Sequence, residues 1–122
     1  EPGLKNSPAL AGALFAAVPD GRFNQLATRY RAKFGGTPSR LASFGYDSVL
    51  LVNTLADKWP LGTPFPRAAL TTPDGFTGID GIFRFGPSGI AERGFEVQQI
   101  GAGRITTVSS APKTLRAAPP TN

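Results

Sequence analysis

The 122-residue chain contains no cysteine, no methionine and no histidine. Without cysteine and histidine it can build neither a Cys/His zinc site nor a Ser–His or Cys–His nucleophile pair. The lack of cysteine also leaves its redox compartment open, since oxidising periplasm and reducing cytosol both suit it. Long apolar runs are missing too. Runs such as Ala13 to Val18 and Val49 to Val52 fall far short of the ~20 residues of a membrane helix. No segment combines the basic start, apolar stretch and small-residue cleavage site of a signal peptide. The first residue is Glu1 rather than Met, which fits a trimmed or processed product.

Glycine and proline are abundant, at 15 and 12 residues, and imply many turns. The formal net charge is +5, but the basic residues are scattered and only Arg29, Arg31 and Lys33 cluster. These lie near the end of an expected helix, where cations meet the negative end of the macrodipole. Nucleic acid is therefore not the expected partner.

Residues 1–11 read as a loop or short helical turn. Residues 12–18, an apolar run ending at Pro19-Asp20-Gly21, suit a buried strand better than a helix, with neighbours on both sides. Phe23, Leu26, Ala27, Tyr30 and Phe34 form one helical stripe, closed by Gly35-Gly36. Asp20 or Asn24 can serve the free amides at its start. Thr37 as N-cap and Pro38 at the first helical position predict a second helix running to about Lys58. Its apolar residues lie on most faces, as for a buried helix. Thr63-Pro64-Phe65-Pro66 starts a short third helix, and Thr72–Gly75 is a turn. From Gly81 the period becomes two. Residues 82–85, 95–100 and 105–108 read as strands joined through Gly86–Gly89 and Gly101–Gly103 in hairpins or a small meander. The proline-bearing tail, residues 110–122, is expected to be extended or disordered.

The glycines at 75, 78, 81, 86 and 89 lack the Lys-Ser/Thr of a phosphate loop and read as turns and bulges. Asp47, Asp57, Asp74, Asp80, Glu92 and Glu96 show no spacing that gathers two of them into one cleft. Asp74 reads as a turn residue and Glu92-Arg93 as surface. No enzyme, metal site or cofactor is expected. Asp47, early in its helix, is explained by the macrodipole. Tyr46 has two readings: a ring and hydroxyl offered to a ligand, or a half-buried side chain with its hydroxyl satisfied.

The order of these features resembles the carboxyl-terminal part of type I periplasmic solute-binding proteins, the branched-chain amino-acid receptors of ABC transporters. The matching features are Phe23, Tyr30 and Phe34-Gly35, then Pro38 with Tyr46-Asp47-Ser48, then Gly75-Phe76, Gly78, Gly81, Phe83, Phe85, Gly89 and Arg93, across roughly residues 10–109. Ser48 stands where alanine is usual. The resemblance implies an α/β class: part of a two-lobe fold, helices followed by a small antiparallel hairpin or meander. Residues 1–18 would be a strand remnant of one lobe, 19–109 the helices and hairpin, and 110–122 the tail. It implies a periplasmic component of a bacterial ABC uptake system that binds an amino acid or analogue by lobe closure and meets a membrane permease. Most ligand-gripping loops would lie in an absent amino-terminal half, and Tyr46, at the cleft edge, is the ligand-binding position carried over. Such a fragment would self-associate or pack on the missing part of its chain. The rival is a cell-envelope lipoprotein of the same fold that activates a penicillin-binding protein by protein contact.

Overall fold

A computed structural model describes residues 3–116. Two short 3-10 turns, Leu4–Asn6 and Pro8–Leu10, lead into strand β1, Leu14–Ala17. Helices α1, Gly21–Phe34, and α2, Ala42–Ala56, follow, then a 3-10 turn at Arg67–Thr71. Five strands complete the chain: β2 Phe76–Gly78, β3 Gly81–Phe85, β4 Ala91–Arg93, β5 Glu96–Ile100 and β6 Ile105–Ser109. With β1 they form, among the described residues, two three-stranded sheets in the orders β1-β5-β6 and β2-β3-β4, each pairing antiparallel. The architecture is thus mixed helix and antiparallel sheet.

Helix α1 follows its sequence pattern from Phe23 to Phe34, but it begins at Gly21, and the Asp20 side chain pairs with Arg40 rather than capping the first amides. Gly35 adopts a left-handed conformation (φ 76°) and returns its amide to the Arg31 carbonyl, closing the helix as expected. Arg31 and Lys33 occupy the last turn, and Lys33 sits over the Phe34 ring at 5.4 Å.

Helix α2 departs from expectation in two ways. It starts at Ala42, because Ser39 rather than Thr37 supplies the local turn: its Oγ accepts the Leu41 amide at 3.3 Å. The amides of Ala42, Ser43 and Phe44 then bond three residues back, to Ser39, Arg40 and Leu41. The second departure concerns its faces. Ser43 and Asp47, four residues apart, and Leu55 near the far end are buried, whereas Phe44, Val49 and Val52, with Leu41 just before the helix, are exposed, Val49 at 71%. The apolar surface expected to be buried is thus largely on the outside.

Strand β1 also differs from the buried strand expected over residues 12–18. It is the edge of its sheet, pairs on one side only, with β5, and leaves Leu14 exposed. The β5–β6 hairpin forms where expected, through Gly101–Gly103. Gly86–Gly89 joins β3 to β4, a three-residue strand too short to register as alternation. The tail shows no regular structure over residues 110–116, and its remainder, 117–122, lies outside the described residues. The core gathers around Ala27, Leu55, Ile79, Ile82, Phe83 and Ile100.

Candidate functional site

Strands β2 and β3 are joined by a two-residue turn, Ile79-Asp80, with Gly78 opposite Gly81 in register. Hairpin turns ordinarily lie in water, since a buried loop carries polar backbone groups that need partners. This one is buried: Gly78, Ile79 and Asp80 all lie inside.

Side chains from three elements supply the partners. From α2, Asp47 Oδ1 accepts the Ile79 amide at 2.6 Å. From α1, Arg22 Nη1 donates to the Gly78 carbonyl at 3.2 Å. From β4, Arg93 Nη1 donates to the Asp80 carbonyl at 3.1 Å and its guanidinium lies 5.3 Å from the Phe83 ring centre. Arg93, expected on the surface, is therefore part of the packing.

The Asp80 carboxylate is satisfied on both oxygens. Oδ1 receives Arg40 Nη2 at 2.7 Å and Oδ2 receives Ser43 Oγ at 2.6 Å. Arg40 also reaches Asp20 at 2.7 Å and stacks over Phe23 at 4.3 Å. One guanidinium thus ties the start of α1 to the start of α2 and to the hairpin turn.

Asp47 is only 4% exposed, and among the described residues its Oδ2 has no hydrogen-bond partner. Burial pushes its carboxyl above the ordinary carboxylate range, and nearby Asp80 adds to this; the Ile79 amide and the Arg93 charge oppose it. Gly78 is required by this carboxylate rather than by a turn conformation. A Cβ there would stand 2.6 Å from Asp47 Cγ. Gly75 and Gly81, by contrast, have φ of 71° and 91°, as turn glycines should.

Beside the buried turn lies a hollow of about 220 Å³ between α1 and α2. Tyr46 and Leu50 line it from α2, Arg22, Gln25, Leu26 and Arg29 from α1, and Gly78 and Ile79 from the turn. Tyr46 is 42% exposed and is one of the residues that line this hollow. Among the described residues no acidic side chain contributes to the lining.

The carboxylates Asp47 and Asp80, separated by 33 positions, are brought to one turn although their spacing gave no sign of it. Asp57 stands at the end of α2; Asp74 pairs with Arg116, Glu92 with Arg84, and Glu96 meets Gln98 and Thr107. Arg22, Gln25, Arg29, Arg40 and Ser43 had no sequence signal as site residues. The available clue was the Gly78-x-x-Gly81 spacing, which in a hairpin predicts a two-residue turn. Among the described residues no group of three or more acidic side chains is placed to hold a metal ion. No helix among them is long and apolar enough to cross a membrane.

No family model and no curated protein matches this chain. Among solved structures, it is similar to the leucine-binding protein LivK of Thermotoga maritima, at 20% identity and a TM-score of 0.47. The match covers 84% of this chain and 31% of that one, so the chain spans under a third of that protein's length.

Proposed function

We propose that the chain is the carboxyl-terminal part of an extracytoplasmic solute-binding receptor that takes up an amino acid or related small molecule. The observation that carries this reading is the meeting of the two motif segments. Tyr46-Asp47 and Gly75–Arg93, which bear the sequence resemblance, are joined by the bond from the Ile79 amide to Asp47, and Tyr46 lines the hollow beside that junction. The parent protein works in the periplasm, closes two lobes around its ligand and delivers it to an ABC-type permease. Closure of this kind is a ligand-linked shift between conformations.

The outward apolar residues of α2 support a covering partner. In the parent the remaining chain supplies it; taken alone, the 122 residues self-associate. A thermal-shift screen of the full-length protein against the common amino acids tests the receptor reading, because a ligand bound only by the folded state raises the melting temperature. At least one of them gives a saturable increase. If none does while the α2 face captures an envelope protein, the reading gives way to an interaction role.

A further inference from the structure

We infer that the hollow between α1 and α2 takes a small dicarboxylate, such as an acidic amino acid or a C4–C5 diacid. The inference rests on the solute-binding reading and names the ligand class of its site.

Arg22 and Arg29 are seven residues apart on α1, so they lie on one face about 10 Å apart along the axis. Both line the hollow, as does Gln25 between them. Arg22 is steadied by the Gly78 carbonyl. Among the described residues Arg29 forms no ion pair.

The nearby acids do not neutralise these cations. Asp80 is committed to Arg40 and Ser43, and Asp47 bonds the Ile79 amide without lining the hollow. The lining is therefore positive, with two arginines whose planar guanidinium forks suit carboxylates.

Tyr46 adds an aromatic side chain with a hydroxyl to the lining, while Leu26, Leu50 and Ile79 add apolar surface for a short carbon chain. At about 220 Å³ the space lies below the size of drug-like pockets and matches a small ligand. Two separated cations with apolar surface beside them discriminate a diacid from a neutral aliphatic amino acid, which would leave one guanidinium without an anionic partner.

The test is isothermal titration of the full-length protein and its Arg29→Gln variant with glutarate, L-glutamate, L-leucine and inorganic phosphate. Arg29 is exposed, so the variant keeps the parent melting temperature, which serves as the folding control. The wild type binds glutarate or glutamate, and Arg29→Gln weakens this by roughly 10- to 100-fold, the loss expected for a hydrogen bond to a charged group. Tight leucine binding without diacid binding overturns the ligand class while leaving the receptor reading intact. So does a preference for phosphate. Diacid binding that Arg29→Gln leaves unchanged overturns the assignment to this hollow. If none of the four binds, nor any other amino acid, the inference falls together with the receptor reading.

Discussion

Asp47 Oδ1 accepts the Ile79 amide at 2.6 Å across 32 positions of sequence, and the same carboxylate occupies the space where a side chain on Gly78 would stand. The pair fixes how α2 approaches the β2–β3 hairpin. Because the turn is buried, this bond is made away from competing water, and losing it leaves a buried amide unsatisfied.

Gly78→Ala tests that approach. The added methyl meets the Asp47 carboxylate, with Cγ 2.6 Å away. Overpacking of this kind costs about 1–3 kcal/mol, read as a lowered urea midpoint with an unchanged slope. In an Asp47→Ala background the clash is gone, so the same substitution costs much less. Additive effects of the two changes would show that the contact does not set the packing.

Arg40→Met removes the guanidinium from Asp80, which is almost wholly buried. Loss of a bond to a charged group is expected to cost about 1.5–3 kcal/mol by chemical denaturation. Asp20→Ala breaks the other arm of the same guanidinium, where the acid side chain is 61% exposed, and should cost under about 1 kcal/mol. Equal costs would contradict the difference in burial.

Asp47 makes the stability of the fold depend on pH. Its carboxyl titrates above the ordinary range in the folded chain, so the folded state favours the protonated form. The contribution to stability is therefore fully present below the ordinary carboxylate value. It is lost as pH rises through the raised value. Melting temperatures of wild type and Asp47→Asn across pH 4 to 8 should diverge in one direction, with the variant gaining on the wild type as pH increases. A difference independent of pH would mean that Asp47 titrates normally.

Helix α1, its glycine stop and the β5–β6 hairpin were legible in the sequence because each depends on local signals: a stripe of spacing three and four, a left-handed glycine, and alternation bounded by Gly101 and Gly103. Helix α2 was legible as a helix but not in orientation. Its inward face is chosen by Ser43 and Asp47, which satisfy a turn more than thirty residues downstream, and that need outweighs the pull of Leu41, Phe44 and Val49 towards the interior. Strands β2 and β4 have three residues each, too few to show a period. Tyr46 could be singled out from its motif. Its neighbours Arg22, Gln25 and Arg29 could not, because a polar helix face looks the same in sequence whether it meets water or a hollow.

The outward face of α2 leads to a prediction about association. The 122-residue chain expressed alone should elute from gel filtration, with light scattering, above its monomer mass. Replacing Leu41 and Val49 together by serine should return it towards the monomer while keeping its circular dichroism. A stable monomer from the unmodified chain would contradict the need for a cover over this face.

The most direct measurement of the central claim is isothermal titration of the full-length protein against a mixture of free amino acids, followed by its separate components. The receptor reading predicts one saturable event at a single site per chain, weakened when Tyr46 is replaced by alanine. The absence of any saturable heat, with the protein folded and its melting temperature unmoved by every component, would contradict it.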